Sequence, residues 1–258
     1  MPLNFIPFQF PGVPNVSCAF TGRAFGNVSL DLAARSDAEL RPACPDLWAQ
    51  TVQTRRAIPS ALGVSAFAEV HQVHGVQTVF EPEAQDPDQP AAIDADGLAA
   101  TRPNLALMIK TADCQPILIA HEGGRHIMAL HSGWKGNRQD YAFLAVGEFC
   151  ERWSLRPSEL WAVRGPSLGP AAAEFTNFST EWGPGFAPWF DAAARTMDLW
   201  TLTRYQLQRA GLLPSRVLGL DICTHDNARH FFSYRAFRRH GLPDGRQASF
   251  IWIRADSV

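Results

Sequence analysis

Leu105-Ala-Leu-Met-Ile109, Thr111-Ala-Asp-Cys-Gln-Pro116, Ile117-Leu-Ile-Ala120, His126-Ile-Met-Ala-Leu130 and His131-Ser-Gly-Trp-Lys-Gly136 follow one another in the middle of this chain. The apolar runs are short, β-prone and bounded by turn residues, so they are expected to form buried strands of one sheet. Cys114 and His131 then fall at strand ends or in the adjoining turns. Neighbouring strands bring such residues together although they are distant in sequence. A third candidate, His74, lies upstream in Glu69-Val-His-Gln-Val-His-Gly75. Each of the three stands beside Gly, Asp or Pro, residues that let backbone approach a site closely. One thiol and two imidazoles form a three-ligand set that leaves a zinc ion one open position. The spacing is not that of a zinc finger, because no two ligands sit within two to four positions.

Working outward, Val16–Phe20 reads as a strand and Thr21–Gly26 as a loop. Ser36-Asp-Ala-Glu39 fits a helix capping box. Leu47, Trp48, Val52 and Ile58 suggest a helix over Pro45–Ala57, with Arg55 and Arg56 on its exposed side. Phe67–Val70 and Thr78–Phe80 read as strands around the His-Gly turn. Residues 81–90 are acidic and proline-bearing, a surface loop. Asp96-Gly97 reads as turn chemistry. Beyond Gly136 the period changes. Ala142, Phe143, Val146, Phe149, Cys150 and Trp153 form a helical stripe with Cys150 in the core. Leu160–Val163 is a strand running into Arg164-Gly-Pro-Ser-Leu-Gly-Pro170. Leu199 to Ala210 is a helix closed by Gly211. Val217–Leu220, Phe231–Arg235 and Phe250–Ile253 complete the sheet material. Arg235, Arg238 and Arg239 read as a solvated cluster. Strands and helices mix without regular βαβ alternation, which favours an α+β fold with mixed sheets in a single domain over residues 1–258.

Composition removes several function classes. With 258 residues, the chain is long enough for a full core. A net charge of −2 and the lack of a long basic block argue against nucleic acid and anionic membranes as partners. The N-terminus has no basic start and is broken by prolines, so it is a poor signal peptide. The cysteines at 18, 44, 114, 150 and 223 are odd in number and scattered, which suits a reducing, cytoplasmic compartment. Nothing in the sequence sets the oligomeric state.

Gln72-Val-His-Gly75, Asp94-Ala-Asp-Gly-Leu98, Thr111–Pro116 and His131–Gly136 together resemble the laccase-domain family. Gly165-Pro-Ser-Leu-Gly169, Leu199-Trp200, Cys223-Thr224 and Phe231-Phe-Ser-Tyr-Arg235 continue the match in order, so it runs from about Phe20 to Ile253. Members are described as polyphenol oxidases or purine nucleoside phosphorylases, and some are linked to peptidoglycan editing. The resemblance implies a layered α/β/β/α fold related to cysteine hydrolases. It also implies a zinc site at His74, Cys114 and His131. This chain differs at Asn27, where the family has Gly, and at Thr54, where it has Asn. Ala173-Glu-Phe175 stands where a Tyr-Glu pair is usual. These differences bear on outer substrate contacts, not on the ligand set.

The residues discriminate among reactions. None of the eight histidines forms a His-x-His pair, and one mononuclear site cannot store the four electrons of oxygen reduction. Multicopper chemistry is therefore disfavoured, although the mixed donor set accepts copper as well as zinc. Zinc with an open position lowers the pKa of water. Deamination of adenosine would then want a carboxylate, Asp113 or Asp96, yet the H-x-E…P-C-x-x-C signature is absent. Phosphorolysis needs arginines for phosphate. Arg23 and Arg235 occupy motif positions suited to it, with Gln72 as a further substrate contact. A Cys-dependent amide hydrolase, with Cys114 as nucleophile and His131 as base, is the alternative. A purely structural zinc would want a fourth ligand, for which only His71 offers itself. The expectation is a zinc-dependent purine nucleoside phosphorylase, with adenosine deamination second, acting on a small-molecule nucleoside and phosphate.

Overall fold

The computed structural model describes residues 5–34 and 45–255. The capping-box segment 36–39 lies outside them. In chain order the strands are β1 (Phe5–Phe8), β2 (Val16–Thr21), β3 (Ala66–Ala68), β4 (Thr78–Phe80), β5 (Gly97–Ala100), β6 (Leu105–Thr111), β7 (Gln115–His121), β8 (Ile127–Ser132), β9 (Leu160–Arg164), β10 (Phe190–Asp191), β11 (Thr196–Met197), β12 (Val217–Gly219) and β13 (Gln247–Ile253). The helices are α1 (Leu30–Ala34), α2 (Pro45–Arg56), α3 (Ile58–Leu62), α4 (Trp134–Arg138), α5 (Tyr141–Trp153), α6 (Phe178–Glu181), α7 (Leu199–Arg209) and α8 (Tyr234–His240).

Among the described residues, two mixed sheets carry the architecture. One has the order β1-β2-β13-β6-β3 and the other β12-β9-β7-β8-β5-β4. Alternation along the strands divides the apolar residues between layers. Leu105, Leu107 and Ile109 of β6 meet Leu118, Ala120, Ile127 and Ala129 of β7 and β8 in the core between the sheets. Ala106 and Met108 face the other way, toward Ile58 of α3. Ile117, Ile119, Met128 and Leu130 pack on Tyr141, Val146 and Phe149 of α5 and Leu207 of α7. Both faces of each central strand are thus covered, which is why these segments are continuously apolar instead of alternating. The result is the layered α+β arrangement expected.

Three expectations are corrected. The run at 105–109 does not share a sheet with the two that follow. β6 pairs with β13 and β3, whereas β7 pairs with β8 and β9. The chain changes sheets across Ala112–Cys114, a choice that depends on long-range partners and not on local pattern. Phe231–Arg235 is not sheet material. Phe231 and Phe232 are buried in a loop, and the Ser233 hydroxyl accepts from Ala236 N at 3.1 Å to cap α8. Finally, Arg55 does not lie on an exposed face. In α2 the buried positions are Thr51 and Arg55, while Trp48 is 38% exposed.

Arg55 is buried because its charge is fully matched. Its guanidinium lies 2.5 Å from the equally buried Glu69 and donates to the carbonyls of Val28, Pro87 and Gln89. Glu69 in turn holds Lys110 Nζ at 2.7 Å, and Lys110 lies 3.4 Å from Asp31. A charge row therefore runs from the 81–90 loop to β6. No helix among the described residues is long and apolar enough to cross a membrane.

Replacing Arg55 by Met strips Glu69 of one cation in a dry site. Breaking a buried pair in this way is expected to cost about 3–5 kcal/mol, read as a lowered denaturant midpoint. An unchanged midpoint would contradict this account of the pair.

Candidate metal centre and its cavity

The centre forms where the sheet-to-sheet crossover meets the end of β8. Cys114 is the last residue of the crossover, His131 lies near the end of β8, and His74 projects from the loop after β3. Their donor atoms all fall within 4.8 Å of one another. Cys114 Sγ is 3.7 Å from His74 Nε2. Donors around a tetrahedral zinc stand roughly 3.3–3.7 Å apart, so small movements close the set on an ion. His131 is buried, Cys114 half-buried and His74 exposed, which leaves one side open to the cavity.

Asp96 orients this set. Its fully buried carboxylate accepts from the backbone N–H groups of Val73, His74 and Gly75 at 3.3, 3.0 and 2.6 Å, and it meets His131 Nδ1 at 2.7 Å. Three successive amides converging on one anion form a nest. They hold His74 at φ 61°, a left-handed conformation uncommon for a residue with a side chain. The bond at Nδ1 leaves Nε2 of His131 for the thiol or a metal. Asp96-Gly97 is consequently not a turn. Gly97 opens β5, and a Cβ there would come within 2.3 Å of the Tyr141 hydroxyl. Gly133 is equally constrained, since its Cβ would stand 2.9 Å from both Cys114 Sγ and His74 Cδ2. The chain keeps this space clear beside the three donors, and one sulfur with two nitrogens suits a zinc or copper ion.

The same contacts set the charge state of the protein without metal. Burial drives the Cys114 thiol upward, but the charge and hydrogen bond of His131, with the bond from His74, outweigh it and bring the thiol down to about 6. Burial drives His131 down, while the Cys114 charge and the Asp96 bond raise it to about 9. Burial acts to raise Asp96, yet its bonds to His131, Gly75 and His74 hold it below the usual carboxylate value. A thiolate–imidazolium pair braced by a carboxylate follows.

The centre opens on a cavity of about 870 Å³. Trp134, Phe175, Leu168, Tyr234 and Arg235 are among its walls, as are Arg238 and Arg239, which the sequence reading assigned to a solvated face. Both remain exposed at the rim. Only proximity in the fold could reveal them as cavity residues.

The other expected site residues divide. Gln72 lies in the wall, but its amide donates to Lys110 O at 2.7 Å and accepts from Lys110 N at 2.8 Å. It ties the His74 loop to β6. Asp113, at φ 88°, accepts from the Thr224 hydroxyl and from Arg235 N, each at 2.7 Å, so both oxygens are engaged. Arg235 lines the cavity and donates from Nη2 to Glu174 O at 3.2 Å. Arg23 does not line it. Its guanidinium lies over the Phe232 ring and reaches the carbonyls of Phe231 and Pro243. His71 also lines the cavity but is bound to Asp94 at 2.7 Å and does not join the three donors. Asn27, one of the departures, is buried and joins Ser29, Thr51 and Arg246.

In metal-free protein, alkylation of Cys114 by iodoacetamide is expected to follow the thiolate. The rate should be near its plateau at pH 7 and fall as pH drops through about 6. A rate that rises only above pH 8 would contradict the ion pair. Bound zinc should suppress the reaction.

Comparison with known proteins supports the layered fold. Residues 17–254 match the family described as multi-copper polyphenol oxidoreductase laccase. A Xylella fastidiosa protein named purine nucleoside phosphorylase is 30% identical over 253 residues, covering 94% of this chain and 89% of its own. The crystal structure of YlmD from Geobacillus stearothermophilus superposes with a TM-score of 0.79 at 21% identity, over 98% of this chain and 97% of that one. Neisseria meningitidis protein NMB0706 gives 0.74 at 26% identity, over 98% and 100%. A match that spans nearly every described strand and contains all three donors makes this chain a member of the multi-copper polyphenol oxidoreductase laccase family.

Proposed function

We propose that the protein is a zinc-dependent purine nucleoside phosphorylase acting on adenosine- or inosine-type substrates. The observation that carries this reading is a single cavity that joins the His74–Cys114–His131 set to aromatic walls and to an arginine whose charge remains available. The name borne by the Xylella relative supports the same class.

Each part of the reaction finds a group. The purine stacks against the apolar wall at Trp134 and Phe175, whose rings lie 6.0 Å apart at their centroids. Phosphate is held by Arg235, since the guanidinium spends one bond on a neutral carbonyl and keeps its fork and charge. A phosphate oxygen attacks C1′ of the ribose while the C1′–N9 bond breaks. The electron pair leaves with the purine, which takes up a proton. The transition state is oxocarbenium-like, by analogy with other glycosyl cleavage. His74, Cys114 and His131 would hold zinc, which when bound supplies Lewis acidity toward an oxygen of phosphate or substrate. Asp113 acts by position, fixing Thr224 and the start of α8, and with it Arg235.

Phosphorolysis ranks above deamination because of the carboxylates. A deaminase wants one free to exchange protons, whereas Asp96 accepts from four donors and each oxygen of Asp113 already accepts a hydrogen bond. A second reading has its own observation. Without metal, Cys114, His131 and Asp96 line up as thiolate, imidazolium and carboxylate, the parts of a Cys-dependent amide hydrolase. Zinc and that chemistry compete for the same sulfur.

Purified zinc-loaded protein given adenosine and phosphate is expected to release adenine and ribose 1-phosphate. Inosine as the sole product would replace this reading with deamination. Cys114→Ala should lose both metal, measured by elemental analysis, and turnover. Full activity in that variant would refute the centre. Amide hydrolysis confined to chelator-treated protein would favour the second reading.

A further inference from the structure

Arginines of α8 form one face of the cavity mouth, and their charges are unequally matched. Arg235, Arg238 and Arg239 all stand in the wall, at spacings of three and four that place them on one side of the helix. Arg239 pairs with Glu174, and Arg246 beyond it pairs with Asp244. Arg235 has only the Glu174 carbonyl for its guanidinium. Arg238 has no hydrogen-bond or ion-pair partner among the described residues, and it is exposed. Of the other carboxylates at this end of the cavity, Glu181 spends an oxygen on Asn177 N at 3.1 Å, and Asp113 accepts from the Thr224 hydroxyl and from Arg235 N. Arg238 therefore reaches the mouth without a carboxylate partner among the described residues, and Arg235, three positions away, has Asp113, Glu174 and Glu181 nearby but its guanidinium bonds only the Glu174 carbonyl. Such a pair selects phosphate, which their planar forks grip and which the neighbouring cation makes more welcome.

One of the two suffices for the phosphate that attacks. The cavity, at about 870 Å³, lies near the top of the roughly 300–1,000 Å³ typical of small-molecule sites. It has room for more than a nucleoside and a phosphate ion. Side chains three apart on a helix stand roughly 5–6 Å apart at Cβ. That spacing lets separate guanidiniums hold two anionic groups on a single ribose.

We infer that the cavity takes purine nucleoside 5′-phosphates in preference to the nucleosides, with the 5′-phosphate on Arg238 and the attacking phosphate on Arg235. The inference rests on the phosphorylase reading and specifies its substrate. The attacking oxygen bonds to C1′, the C1′–N9 bond breaks, its electron pair leaves with the protonated purine, and the 5′ ester is untouched. The products are free purine and ribose 1,5-bisphosphate.

Calorimetric titration of the zinc-loaded protein with AMP and with adenosine tests this. AMP should bind about tenfold tighter or more at low ionic strength, a factor worth about 1.4 kcal/mol, and the advantage should shrink as salt screens it. Arg238→Gln should bring the AMP-to-adenosine affinity ratio close to one. Arg152→Gln, on the exposed side of α5 and outside the cavity, should leave that ratio unchanged. AMP binding no tighter than adenosine, no binding of either, or a ratio that survives Arg238→Gln overturns the inference. Adenosine turnover with phosphate is assayed in parallel. Its absence would sink the phosphorylase reading alone, because the affinity ratio still judges Arg238.

Discussion

The buried carboxylate of Asp96 is the constraint on which the centre depends. It gathers three backbone amides of the 73–75 turn and the Nδ1 of His131 around a single anion. An isolated carboxylate in such a place would be costly, and full satisfaction by donors is what makes it tolerable. The arrangement fixes two of the three candidate ligands at once. His74 is set by the backbone of its own turn, and His131 by its ring. The third, Cys114, needs no such brace, because the crossover between the sheets delivers it.

That crossover explains why the site lies where it does. The layered fold covers both faces of its central strands, so a chain passing from one sheet to the other must do so at an edge of the core. There the backbone leaves regular pairing, and Asp113 adopts a positive φ while its carbonyl accepts from Leu168 N at 2.8 Å. The adjoining wall is stiffened by charge. Lys110, next to last in β6 before the crossover begins at Ala112, belongs to the Arg55–Glu69–Lys110 row and is gripped at its backbone by Gln72. Buried ions of this kind add little net stability compared with apolar packing, but they tolerate few alternative arrangements.

On the opposite face of β7 and β8, a polar hub performs a similar task for the aromatic wall. Asn137 is fully buried and exchanges hydrogen bonds with Gln115, Thr203 and Gln206. These bonds join α4 to β7 and α7, and α4 begins at Trp134, beside Gly133 and the ligands. Trp134 then meets Phe175 and Trp182, which belong to an otherwise irregular segment. The irregular region gains its order from rings packing on rings and not from repeated backbone pairing.

The amino-acid pattern determined a good deal unaided. Continuous apolar runs marked β6 to β9 as strands buried on both faces, and the three- and four-residue stripe gave α5 with Cys150 inside. The turn chemistry around His74, Cys114 and His131 marked them as a set, because Gly and Asp beside Cys or His serve close backbone approach. What the pattern could not supply was anything decided between distant segments. Which sheet β6 joined depended on β13, more than 130 positions away. Arg55 looked like a surface residue because its partner, Glu69, lies on another element. Phe231–Arg235 looked like a strand because apolar content alone does not distinguish a buried loop from a sheet. Asp96 looked like half of a turn, and Arg238 like a solvated charge, because their roles come from a nest and a cavity that exist only once the chain has folded. Local periodicity reports burial and backbone conformation. Partners and cavities are set by tertiary contacts, and those alone turned a list of donors into a site.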